Sequence, residues 1–159
     1  MTTEKKEAQE FLAMDFRVSL PCRFDAGPYM GFFLTQMRDH KKIWANKCPK
    51  CGRLSSPPSA FCGPCLGVEM TEWVEQVDEG VLQGFDVVYY RFIQPNTGEM
   101  QPVPWAHGFI ELDTGAFFWH YVVPPDPEKL KIGDRFKAVW KEEGRKGEFH
   151  DILYFKKVE

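Results

Sequence analysis

Cys48-Pro49-Lys50-Cys51-Gly52-Arg53-Leu54-Ser55-Ser56-Pro57-Pro58-Ser59-Ala60-Phe61-Cys62-Gly63-Pro64-Cys65 is the stretch that decides the fold. Two Cys-x2-Cys pairs are separated by ten residues. Two residues between cysteines let a tight knuckle aim both thiolates at one point, and a second knuckle completes a tetrahedral set of four. Four soft thiolates select zinc, or a single iron, over magnesium or calcium. Disulfides are not the expected use of this spacing in a reducing compartment. Cys48, Cys51, Cys62 and Cys65 are therefore the predicted ligands of one Zn2+. The metal is expected to be structural, because four protein ligands close the site whereas a catalytic zinc keeps a position for water or substrate. Metal binding on the order of 10 kcal/mol would hold a knuckle too poor in apolar residues to fold alone. Gly52 and Gly63 are expected to supply permissive backbone, and Pro57-Pro58 a stiff link.

Working toward the N-terminus, residues 28–47 read as an amphipathic helix and a lead-in strand. Tyr29, Phe33 and Met37 recur at helical spacing with Phe32 beside them, and Pro28 suits the first turn. Tyr29, Phe32, Phe33 and Met37, within nine residues, exceed what one edge of a knuckle easily covers. Tyr29, Phe32, Phe33 and Met37 are accordingly expected to form a partner surface, the alternative being that they pack on the chain's own core. Ile43 and Ala45 alternate with Trp44 and Asn46, as in a strand. Residues 1–27 form an extension, its first ten residues charged and expected to fray. Cys22, in SLPCRF, reads as a small buried residue.

Toward the C-terminus the pattern changes, with residues 48–70 forming the ribbon and residues 71–159 reading as short strands. WVEQVDEG and GVLQGFDVVYYRF are two strands, or one bent at a glycine. WAHGFIEL and AFFWHYVV flank Asp113-Thr114-Gly115 as a hairpin. RFKAVWKEE and FHDILYFKK follow the Leu130–Ile132 turn. Counting outward from Thr114 places His107 and His120 near each other across the hairpin, a polar pair among aromatic residues that can touch a ligand or partner. The predicted fold class is mainly β with a short N-terminal helix, a rubredoxin-like zinc ribbon and a small OB-type barrel, which removes most strand edges at this length.

The chain has 159 residues, 20 Lys and Arg against 23 Asp and Glu, and a net charge of −3. That balance argues against phosphate-backbone binding as the main task. No apolar run reaches the roughly 18 to 20 residues of a bilayer span, and MTTEKKEAQE has no signal-peptide core, so a cytoplasmic location is expected. Arg53, Arg91, Lys131 and Arg135 are isolated basic residues, and no Gly-rich phosphate loop occurs.

The succession of amphipathic helix, CPKCG, Pro57-Pro58, CGPC, Gly80-Val81, ELDTG at 111–115 and LKIGD at 130–134 resembles the acyl-CoA-associated zinc-ribbon and OB-fold proteins that accompany thiolases and related CoA enzymes. The resemblance covers roughly residues 28–157. It implies a non-nucleophilic accessory subunit bound to a thiolase-like catalytic subunit in a hetero-oligomer, shaping or covering a site for a coenzyme A thioester. Within that family, the aromatic loading points to thiolytic cleavage of an aryl-substituted 3-oxoacyl-CoA, such as benzoylsuccinyl-CoA to benzoyl-CoA and succinyl-CoA, in anaerobic toluene metabolism. The family's basic residue after the paired prolines is replaced here by Ser59 and Ala60, so no role of that residue carries over. No catalytic residue is assigned. Thiolysis needs a thiolate, a base and oxyanion donors, but four cysteines are claimed by metal and His40, His107, His120 and His150 are scattered. Three other readings stay open: a single-stranded nucleic-acid binder, a rubredoxin-like iron electron carrier and a free-standing enzyme.

Overall fold

The computed structural model describes residues 24–94 and 98–158. The readings for residues 1–10 and Cys22 lie outside them. Among the described residues the chain folds as one α-helix, ten strands and one 3-10 turn, mainly β as expected. Helix α1 is Gly27–His40, with Pro28 in its first turn and Lys41 closing it in the left-handed region at φ 53°. Arg38 and His40 in its last turn suit the negative end of the helix dipole.

Strand β1 (Ile43–Lys47) pairs antiparallel with β2 (Leu54–Ser55) on one side and β5 (Glu72–Gln76) on the other. Between them, β3 (Phe61–Cys62) and β4 (Val68–Glu69) form a second small ladder. WVEQVDEG and GVLQGFDVV are thus two separate strands. The first, β5, pairs with the lead-in strand β1, and only the second enters the barrel.

That barrel is closed in the order β10-β8-β7-β6-β9, formed by β6 (Glu79–Val88), β7 (Trp105–Leu112), β8 (Phe117–Val123), β9 (Arg135–Trp140) and β10 (Ile152–Lys157). Successive strands are antiparallel except at the β8–β10 seam, which is parallel. This is an OB-like barrel of five strands. Alternation along the strands sends Leu82, Ile110, Leu112, Phe118, Val122, Phe136 and Phe155 inward, where all are essentially inaccessible. Phe149–Asp151, at the head of the expected last strand, is instead a single 3-10 turn. Its cause is Asp151, fully buried, whose carboxylate accepts from the backbone N–H groups of Lys146, Gly147 and Glu148 at 2.7–3.2 Å.

Phe33 and Met37 are fully buried, which corrects their assignment to a partner surface. Phe33 lies 6.3 Å from the ring of Phe118 and 6.0 Å from that of Phe149, inside the barrel's core cluster. Phe32, one position earlier and about 100° round the helix, meets Trp73 at 4.4 Å and Trp44 at 5.4 Å on the ribbon sheet. Tyr29 is half-buried, near Trp73 at 6.1 Å, and its hydroxyl donates to Glu69. The helix is a wedge between the two β units.

Gln76 makes the second joint. Its buried side-chain oxygen accepts from Thr114 Oγ1 at 2.7 Å and Ala116 N at 3.1 Å, tying the end of β5 to the β7–β8 turn. Gly115 takes φ +97° in that turn and sits 3.5 Å, measured from where a Cβ would be, from Leu54 Cδ1 of the ribbon. Among the described residues no helix is long and apolar enough to cross a membrane.

Gly80 pairs with Leu112 on one side and Phe136 on the other, and a Cβ there would lie 2.2 Å from the carbonyl oxygen of Glu111. Gly84, on the same strand, would meet nothing within 4 Å. Gly80→Ala is therefore expected to destabilise the fold by about 2–3 kcal/mol, while Gly84→Ala stays within about 0.5 kcal/mol of the parent. Urea unfolding midpoints check this, and equal effects at the two positions would refute the close-approach argument.

Candidate functional site

The four predicted ligands converge. Cys48, Cys51, Cys62 and Cys65 place their sulfurs within 4.8 Å of one another, with Cys51 and Cys62 only 3.7 Å apart. In a tetrahedral site with metal–sulfur bonds of about 2.3 Å the sulfurs stand about 3.8 Å apart, so the cluster can close on one ion with little movement. Cys48 and Cys62 are buried and Cys51 is exposed.

The first knuckle is closed by Gly52 N donating to Cys48 O at 2.9 Å, with Gly52 at φ +74°. In the second knuckle Gly63 does not take a positive φ, contrary to expectation; Leu66 and Gly67 do, at +40° and +79°. The reason is positional: the residue after the second cysteine makes the left-handed step, and that place falls to Gly52 in one knuckle and Leu66 in the other.

Burial raises the Cys48 thiol, but backbone N–H groups of Cys51 and Lys50 and the neighbouring sulfurs outweigh it and bring it down to about 7. Cys65, hydrogen-bonded to Cys51 and half-buried, is pushed up to about 12. Four thiols this close cannot all ionise without a cation among them. The donor set fits one soft metal ion, and with four sulfurs it leaves no protein-side vacancy for substrate.

Asn46 supports the cage, a role that sequence reasoning missed. Fully buried on β1, it donates to Ser59 O at 2.6 Å and Met70 O at 3.1 Å and accepts from Ser59 N at 3.2 Å, pinning the segment between the knuckles.

The two hairpin histidines do not meet. The register pairs His107 with Tyr121 and His120 with Gly108, so they project to opposite faces of the sheet. His120 points into the barrel, and its Nε2 donates to Phe149 O at 3.0 Å. A carbonyl only accepts, so the proton is on Nε2 and Nδ1 is bare, buried and without a partner among the described residues. Burial lowers the His120 pKa from its ordinary 6.5 and holds the ring neutral.

His107 faces outward in a row of rings. Phe117 stacks on Phe109 at 4.8 Å, Phe109 meets Trp119 at 6.5 Å, Trp119 meets His107 at 5.6 Å, and His107 stacks on Tyr121 at 5.0 Å. Trp105 then packs against both His107 and Tyr121. Asp86, opposite His107 on β6, lies 3.6 Å from its Nδ1. Trp119 is 60% exposed, Phe109 43% and Phe117 40%, so the face is open. Alternation within WAHGFIEL and AFFWHYVV carried this signal, because Trp105, His107 and Phe109 on one strand and Phe117, Trp119 and Tyr121 on the other fall at every second position. Of the isolated basic residues, Arg135 is engaged by Asp113 at 3.2 Å and Glu79 at 3.8 Å, so it is not a free anion site.

Residues 73–141 match the family model for the ChsH2 C-terminal OB-fold domain. The chain is 26% identical over 113 residues to a DUF35 domain-containing scaffold protein of Methanothermobacter thermautotrophicus, covering 70% of this chain and 81% of that protein. It is 28% identical over 116 residues to a scaffold protein of the same description from Methanocaldococcus jannaschii, covering 71% and 79%. Among solved structures, a chain of the Ltp2–ChsH2(DUF35) aldolase superposes with a TM-score of 0.59 at 20% identity, over 85% of this chain and 98% of that one. A DUF35-family protein from Sulfolobus solfataricus gives 0.55 at 20% identity, over 82% and 84%. At these identities the structural matches speak for the fold.

Two outcomes are expected. Cys51→Ser breaks the cage and should yield an aggregating chain with less than stoichiometric metal, read by elemental analysis and light scattering; a soluble variant with full metal content would mean the cage does not hold the fold. The second concerns pH. A base whose folded pKa is lowered stabilises the fold fully above its unfolded value of 6.5 and less as pH falls below it. Urea midpoints should therefore drop between pH 7 and pH 5, and His120→Gln should flatten that slope.

Proposed function

We propose that this chain is a zinc-containing, non-nucleophilic accessory subunit of a thiolase-type acyl-CoA enzyme, and in particular the small subunit of benzylsuccinyl-CoA thiolase. Zn2+ on Cys48, Cys51, Cys62 and Cys65 holds the ribbon, and the barrel gives a rigid body. The open row of rings on β7 and β8 docks on a thiolase-like catalytic subunit. That subunit supplies the nucleophile for cleaving an aryl-substituted 3-oxoacyl-CoA, with the coenzyme A thioester bound in the complex.

The observation that carries this reading is the aromatic face. A row of rings left 40–60% exposed at Phe117, Phe109 and Trp119 in a chain of 159 residues marks a surface that a partner covers. The four-sulfur donor set supports it, since a saturated ion has no place for substrate. The scaffold description of the two archaeal relatives points the same way. With Phe33 and Met37 buried, docking falls to the sheet face and not to the helix.

From native cells the chain should co-elute with a thiolase-like subunit, colourless and with one zinc per chain. Trp119→Asp should lose the partner while keeping its metal and fold. Recovery as a lone monomer with salt-sensitive affinity for single-stranded DNA would overturn the reading in favour of a nucleic-acid module, and a red iron-containing product would favour electron transfer.

A further inference from the structure

A groove of about 790 Å3 opens at the parallel seam of the barrel. The seam is short: only Phe155 with Val122 and Lys156 with Val123 are in register. Before them, Tyr154 keeps its pairing with Val139 of β9 on one side but has no β8 partner on the other, and the gap beside β8 is lined by side chains. Phe92, Trp105, Tyr121 and Tyr154 supply aromatic walls.

The rim carries Lys141, Glu148, Lys146 and His150. Lys141 is 3.4 Å from Glu148, so those two charges offset each other. Lys146 makes no side-chain ion pair among the described residues, while its backbone N–H is fixed to the buried Asp151 at 3.0 Å. One uncompensated ammonium therefore stands over an aromatic-walled groove in a chain of net charge −3. A phosphate ester carrying two charges would meet a single free lysine with Glu148 beside it. A single carboxylate matches.

We propose that this groove binds a planar aromatic carboxylate, its ring against Trp105, Tyr121 and Tyr154 and its charge at Lys146. The groove shares Trp105 and Tyr121 with the outward row of rings, and its ligand is read on the isolated chain, whichever enzyme the aromatic face docks.

The test is a titration of the full, metal-loaded chain labelled with 15N, following the five indole N–H resonances. The Trp105 resonance is assigned through Trp105→Phe, and 2-naphthoate is the probe. The Trp105 signal should shift saturably. 2-Naphthamide should bind about fivefold more weakly, the span of a partly exposed ion pair, and cyclohexanecarboxylate more weakly as well for want of a ring. Lys146→Met, at an exposed position that leaves the fold intact, should erase the preference for the carboxylate over the amide. The proposal is overturned if Trp105 does not move, if Trp119 moves in its place, if naphthamide binds as well as naphthoate, or if Lys146→Met keeps the preference.

Discussion

The ring of Phe33, set between Phe118 and Phe149, decides where the rest of the molecule sits. A helix of 14 residues is marginal in water by itself, and what holds this one is burial. A fully buried phenylalanine contributes about 2–3 kcal/mol, and Met37, one turn on, adds a second anchor. The neighbouring ring of Phe32 reaches the opposite way to Trp44 and Trp73. Adjacent positions on one helix thereby clamp a barrel to a ribbon, and the Gln76 joint to Thr114 and Ala116 stops the two from rotating about the clamp.

Much of this was legible from residue order. The knuckle spacing announced the sulfur cluster, the 3.6-residue period announced α1, and turn chemistry announced the β7–β8 hairpin. What escaped notice was mostly register and remoteness. A symmetric count from Thr114 gives the true pairing, His107 with Tyr121, and leaves His120 one position short of it; because strand faces alternate, that single step sends His120 into the barrel and His107 outside it. Helical periodicity marked an apolar stripe through Phe33 and Met37 without telling a partner surface from the chain's own core, because the rings that cover Phe33 stand 85 and 116 residues further on, at Phe118 and Phe149. Asn46 and Gln76 were invisible for the same reason: their partners stand 13 to 40 residues away. The placement of β5 beside β1 depends on the ribbon's own closure, which no local pattern expresses.

The two halves of the molecule divide the chemistry. Thiolate repulsion is concentrated at the ribbon, where Cys48 and Cys65 are driven in opposite directions and one cation among the four sulfurs would resolve the conflict. The barrel carries its polar burden singly, with one neutral imidazole inside and one buried carboxylate, Asp151, shaping the turn that caps it. Its outer rings are left to solvent.

Closure of the barrel has a consequence for assembly. With β10, β8, β7, β6 and β9 joined in a ring, none of the barrel strands is an outer strand. The outer strands among the described residues lie on the ribbon: β2, β3 and β4, two residues each, and β5, five residues carrying Glu72 and Glu75. None is a template that a foreign strand would readily extend. Recognition must then be written in side chains, and side chains can be rewritten one at a time. A lineage could exchange one associate for another by altering a few outward rings, while the hydrogen-bonded frame beneath them went on unchanged.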